Sequence, residues 1–175
     1  MATRALGKNQ QFQVDDPVVY AACGIGRIAA LVTKRFQDAQ DRQYYEVVID
    51  RSTIWVSVES GPSSGLRLLT LKSELKHYRD ILRSQPGKLI PDARQRKTDL
   101  SGRLKSGSFQ SICEVVRDLT ALSWVKALNE ADSIVLRKTR DGLCQEWAAA
   151  EGIPLPQAVE EINALLLENR QAHAA

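Results

Sequence analysis

Residues 44–58, Tyr44-Tyr45-Glu46-Val47-Val48-Ile49-Asp50-Arg51-Ser52-Thr53-Ile54-Trp55-Val56-Ser57-Val58, decide how the front of this chain folds. Two β-branched and aromatic runs, Tyr44–Ile49 and Thr53–Val58, flank the short polar turn Asp50-Arg51-Ser52. That is the pattern of a hairpin. Strand side chains alternate, so Ile54, Val56 and Val58 share a core face while Trp55 and Ser57 face outward. A solvent-side Trp is a candidate protein contact, because Trp is enriched where interfaces carry most of their energy.

Working outward, the same texture continues in both directions. Val18-Val19-Tyr20 follows the turn-like Asp15-Asp16-Pro17, and Cys23-Gly24-Ile25-Gly26 reads as a Gly-punctuated turn. Arg27–Phe36 is a strand with Ile28, Ala30 and Val32 on one face, and the polar Gln37–Arg42 is a hairpin loop. Gly61-Pro62-Ser63-Ser64-Gly65 is a loop before a last short strand at Leu66–Leu69. Five short strands within residues 12–69 predict a small, strongly bent sheet or barrel.

From Thr70 the period becomes helical. Leu75, Tyr78 and Leu82 stripe a helix over Leu71–Ser84, which Gln85-Pro86-Gly87 ends. Asp92–Lys105 is a basic, weakly apolar helix. Phe109–Trp124 is amphipathic, with Phe109, Ile112, Cys113, Val116, Leu119 and Thr120 at helical spacing. Glu114, Arg117 and Asp118 on this helix read as a solvated surface. Ala131–Glu151 is a fourth helix stopped by Gly152, and Pro154 and Pro156 open a fifth. Strands segregated from helices give an α+β chain of two domains: a five-stranded β domain over residues 11–69 and an all-α compact bundle of about five helices over residues 70–175. Residues 1–10 are expected to be a disordered leader, and they lack the apolar core of a secretory signal.

The whole chain has 175 residues, is 43% hydrophobic and 26% charged, and carries a net charge of +3, values that exclude wholesale disorder. The charge is uneven: +1 over residues 1–70, +6 over 71–110 and −4 over 111–175. A basic middle suggests a localised polyanion contact. Its centre is Arg94-Gln95-Arg96-Lys97, with Arg103 and Lys105 one to two turns on, a cluster suited to phosphate oxygens. No aromatic interleaves it, so base stacking on a single strand is not indicated.

Catalytic and metal signatures are absent from the sequence. Cys23, Cys113 and Cys144 lie far apart, and neither His77 nor His173 is near a Cys. No phosphate-binding loop, nucleophile elbow or zinc-protease helix occurs. Gly24-Ile25-Gly26 lacks the third glycine of a dinucleotide fingerprint, since position 29 is Ala29. The expectation is a cytoplasmic protein that is not an enzyme, with no cofactor, no protein-held metal and no membrane span.

Several stretches then fall into a familiar order. They are Phe12-Gln13-Val14-Asp15-Asp16-Pro17-Val18-Val19-Tyr20, Gly24-Ile25-Gly26-Arg27-Ile28, Tyr44-Tyr45-Glu46-Val47, Ile54-Trp55-Val56-Ser57-Val58, Gly65-Leu66-Arg67 and Glu114-Val115-Val116-Arg117-Asp118-Leu119. In that order and spacing the chain resembles the CarD/CdnL family of bacterial transcription regulators, over roughly residues 12–170. The resemblance implies a Tudor-like β domain that docks on the β subunit of RNA polymerase. It also implies a helical domain that touches promoter DNA, mostly backbone and minor groove, at the upstream edge of the melted bubble. The expected outcome is modulation of open-complex stability by a nucleoid-associated protein, a monomer with a dimer left open.

Carried residue by residue, the resemblance places polymerase contact on Lys34 and Trp55, with Ser57 and Arg27 beside them. Relatives usually carry a basic residue where Trp55 stands. DNA contact falls on Arg94, Arg96, Lys97 and Arg103. Relatives also open the basic helix with a Trp wedge, yet no Trp lies between residues 56 and 123 here. Aligning on Arg96-Lys97-Thr98 puts that position at Pro91, and aligning on Glu114–Leu119 puts it at Ala93. Ile90-Pro91 is the apolar substitute, since kinking proteins also use Ile and Pro as wedges. Two other readings stay open: an interaction module without DNA function, and an accessory domain of a transcription-repair coupling system.

Overall fold

A computed structural model describes residues 11–21, 23–35 and 40–173; the leader expected over residues 1–10 lies outside them. The chain divides into two compact units, Met1–Leu69 and Thr70–Ala175.

The first unit is a five-stranded antiparallel sheet of β1 (Pro17–Tyr20), β2 (Gly24–Lys34), β3 (Arg42–Ile49), β4 (Ser52–Ser57) and β5 (Leu66–Leu68). The strand order is β4-β3-β2-β1-β5, so β4 and β5 are the edges of an open sheet. The hairpin of residues 44–58 forms as its sequence requires: Asp50, at φ 51°, turns the chain with Arg51, and Ile49 faces Ser52 across the ladder. Aspartate tolerates this left-handed conformation. Val56 and Val58 are buried and Trp55 is exposed, as the alternation dictates.

β2 departs from simple alternation. A register shift between Ile28 and Ala30 inserts one residue, so Ile28 faces Val47 and Leu31 faces Tyr45. Ile28 and Leu31 therefore reach the core together, and the expected face of Ile28, Ala30 and Val32 is corrected. A bulge flips every later side chain of its strand. Gly24-Ile25-Gly26, expected as a turn, lies inside β2 and pairs with Val18–Tyr20. Gly26 is required there: a Cβ at this position would stand 2.5 Å from the Val48 carbonyl oxygen and 2.6 Å from Ile49 Cγ1. Val58–Ser64 wind as a 3-10 segment broken at Gly61, which takes in Val58, expected as the end of a strand, and most of the loop expected over Gly61–Gly65. The core holds Phe12, Val18, Ile28, Tyr45, Val47, Ile49, Val56, Val58 and Leu66. Phe12 packs edge-on against Tyr45, whose hydroxyl accepts from the Gln11 and Phe12 amides at 2.8 and 3.3 Å.

The second unit is α1 (Leu75–Arg83), α2 (Ala93–Lys105), α3 (Phe109–Val125), α4 (Glu130–Glu151) and α5 (Leu155–His173). Side-chain caps start three of them: Asp92, Ser108 and Asn129 accept from the Gln95, Ser111 and Asp132 amides at 2.8, 3.1 and 2.7 Å. Gly152, left-handed at φ 77°, closes α4. The larger core joins Leu75, Leu82, Phe109, Cys113, Val116, Leu143, Trp147 and Ile162; a smaller one joins Leu100, Val115 and Leu119. Cys113 and Cys144 are buried, and burial pushes both thiols upward, so they act as small apolar groups. Arg79 donates to Glu161 at 2.7 Å and Glu151 at 3.0 Å, which binds α1 to α4 and α5. No helix among the described residues is long and apolar enough to cross a membrane.

Because the Val48 backbone and the Ile49 side chain both block position 26, Gly26→Ala is expected to destabilise the first unit by about 1–3 kcal/mol. Urea unfolding monitored at Trp55 measures this.

Candidate functional site

On the sheet, the outward positions of β2, β3 and β4 form one continuous face. Glu46 stands directly opposite Trp55, and Trp55 Nε1 donates to Glu46 Oε2 at 3.2 Å. Lys34 Nζ lies 3.4 Å from the Trp55 ring centroid, a cation–π contact. The indole thus stays 45% exposed while two charged neighbours hold its orientation. Ser57 is next along β4, opposite Tyr44, and Arg27 pairs in register with Val48, itself exposed. Arg27 also reaches Asp15 at 3.9 Å across open solvent. The structure therefore brings Lys34 and Trp55 into contact and sets Ser57 and Arg27 on the same face. Sequence reasoning missed Glu46 and Val48, although the period-2 pattern of β3 marks both as outward.

In the helical unit, the segment between α1 and α2 carries Ile90 and Pro91 as a tip. It is fastened at two points. Gly87 N donates to Asp118 Oδ1 at 2.8 Å, and a Cβ on Gly87 would stand 2.9 Å from Asp118 Oδ2. Arg96 Nη1 donates to the carbonyls of Ile90 and Pro91 at 2.7 and 2.9 Å. The rest of the Arg96 guanidinium grips Asp132: Nη2 and Nε donate to Oδ2 at 2.6 and 3.1 Å. Both side chains of this pair are almost wholly buried, at 4% and 3% exposure. Asp132 sits in the first turn of α4, where the helix dipole favours a carboxylate.

Arg96 was expected among the phosphate contacts, and that placement is corrected. Every donor-bearing nitrogen of its guanidinium is engaged inside the protein. Arg103 is corrected in part: it lies toward the other end of α2, donating to Asp118 at 3.1 Å and facing Glu114 at 3.6 Å. Asp118 also accepts from Arg117 Nε at 2.8 Å and has 2% side-chain exposure, so Glu114, Arg117 and Asp118 are not the solvated surface that sequence alone predicts. Arg94 and Lys97, in contrast, are exposed on the first turns of α2, as is Pro91; Ile90 is half-buried. Lys88, missed by sequence reasoning, is exposed two residues before Ile90. The segment thus carries an exposed Pro91 and a half-buried Ile90, with the exposed cations Lys88, Arg94 and Lys97 near them in sequence. Among the described residues no cluster of ligating side chains fits a metal ion.

Comparison with known proteins agrees with both units. Residues 12–67 match the CarD-like/TRCF RID domain, and residues 78–163 match the CarD C-terminal domain. A protein of Bacillus subtilis (strain 168) named "Putative transcription factor YdeB" is 31% identical over 145 residues, covering 81% of this chain and 94% of that protein. The chain belongs to the CarD family. Within a CarD-family chain, the sheet face lies on the RID-matching unit, and the tip and α2 lie within the C-terminal match.

Removing one partner of the buried pair leaves a charge stranded, so Asp132→Ala is expected to lose about 3–5 kcal/mol in urea unfolding. The paired change Arg96→Met/Asp132→Leu is expected to restore much of that stability. It still frees the tip, seen as faster amide exchange at residues 88–90 and 92. Unchanged exchange in the double variant would mean that Arg96 does not position the tip.

Proposed function

We propose that this CarD-family chain is a transcription regulator that docks on the β subunit of RNA polymerase through its sheet face. Trp55 and Lys34 form the centre of that contact, with Ser57 and Arg27 at its margin. The single observation that carries the reading is the exposed indole of Trp55, held by Lys34 and Glu46 on the face of the RID-matching unit. A large aromatic already fixed in orientation loses little entropy on binding, which favours it as an anchor. The proposal continues on the helical unit. Ile90-Pro91 abuts the minor groove at the upstream edge of the melted bubble, Arg94 and Lys97 take phosphate oxygens, and open-complex stability changes as a result.

Each contact is small, and two in one chain reinforce each other through effective concentration. The free chain accordingly binds DNA weakly, without sequence preference and with a shallow salt dependence, because few cations reach the phosphates. The helical match to the CarD C-terminal domain sets this reading above an accessory domain of a coupling factor. One observation favours the second reading, an interaction module without DNA function: Arg96 and Arg103 are drawn into ion pairs, leaving a reduced cationic surface.

The test is capture of purified core RNA polymerase on immobilised wild type and Trp55→Ala. Wild type is expected to retain polymerase, and Trp55→Ala to bind roughly tenfold or more weakly, the loss typical of a hot-spot aromatic. Failure of the wild type to capture polymerase would overturn the reading.

A further inference from the structure

A second site lies in the helical unit, between α3, α4 and α5. A cleft of about 240 Å³ opens there, and its lining includes Thr120 and Trp124 from α3, Arg140 from α4, and Asn163, Leu167 and Arg170 from α5. Its chemistry differs from its surroundings. The last 65 residues carry a net charge of −4, yet the lining holds two guanidinium groups and no carboxylate. Arg140 is not neutralised by an acid within the lining; its Nη2 donates to the Asn163 side-chain oxygen, which holds the guanidinium at the cleft wall. Arg170 lies 5.7 Å from the Trp124 ring centroid and flanks the same opening.

Thr120, one of the lining residues, carries an unpaired hydroxyl. The residue is 8% exposed, and its Oγ1 has no hydrogen-bond partner in the protein. Buried hydroxyls are rarely left unpaired, because desolvation costs them free energy. Thr120 lines a cleft that also holds two arginines, so an incoming oxyanion would meet both cations together. Beside the cations, Trp124 and the half-exposed Leu167 present an aromatic and aliphatic surface for a flat ring. The volume suits one ring bearing one oxyanion; it has no room for a folded segment or a duplex.

We propose that this cleft binds a mononucleotide, its phosphate on Arg140 and Arg170 and its base against Trp124 and Leu167. Arginine suits phosphate through paired donors, and base–indole stacking tolerates any base. The site shares no residue with the sheet face or with Ile90-Pro91, and it does not depend on the polymerase reading.

Nuclear magnetic resonance of the full chain tests it through the indole cross-peaks of Trp55, Trp124 and Trp147. Titration with adenosine or guanosine monophosphate at constant ionic strength is expected to shift the Trp124 peak saturably and leave Trp55 in place. Arg140→Gln is expected to weaken this roughly tenfold or more, the loss of a charge-assisted hydrogen bond. Arg170→Gln is a second variant, and an unmoved Trp147 peak shows that each variant is folded. Inorganic phosphate alone and adenosine alone are each expected to bind at least roughly tenfold more weakly than the nucleotide. A Trp124 peak unmoved by millimolar nucleotide would overturn the proposal. So would undiminished binding by both arginine variants, or inorganic phosphate binding as tightly as the nucleotide, which would mark an adventitious ion only.

Discussion

The buried pair of Arg96 and Asp132 is the interaction on which the segment between α1 and α2, and with it the proposed DNA contact, depends. An ion pair this deep contributes little net stability over an apolar replacement, because desolvating both charges offsets their attraction. Its value lies in what else it holds. The same guanidinium that grips Asp132 on α4 also binds the carbonyls of Ile90 and Pro91, ahead of its own helix. Asp118 on α3 does the matching task at Gly87. The segment between α1 and α2 lacks regular hydrogen bonding over most of its length, and these two side chains supply what the backbone does not.

The sheet face follows a similar economy. A lone exposed Trp would sample several rotamers and lose that freedom on binding. Lys34 and Glu46 reduce the choice beforehand, one over the ring and the other at its N–H. Trp55 is thus an apolar surface set among charges.

Local pattern explains what could be read from sequence. The alternation of residues 53–58 and the helical stripe of residues 109–120 are set by neighbours a few positions away, and both elements form as their patterns dictate. The β2 bulge was illegible because one inserted residue changes which side chains face the core without changing composition. Arg94, Arg96 and Lys97 look alike in sequence, and what separates them is Asp132, 36 residues away. A trace of the answer was present: Arg96 and Leu100 are four apart on α2 and both buried, so they share the helix's inward face. Asp118 likewise stands three residues after the buried Val115. A charged residue in register with a core stripe is a candidate buried partner before it is a candidate phosphate ligand.

In the proposed function, one unit docks on polymerase and Ile90-Pro91 of the other meets DNA. The most direct test is the lifetime of promoter open complexes after competitor challenge, with wild type and with Ile90→Ser/Pro91→Ala. Wild type is expected to change that lifetime. The tip variant is expected to capture polymerase as well as wild type does and to lose the effect. A tip variant that captures polymerase and keeps the full effect would contradict the account.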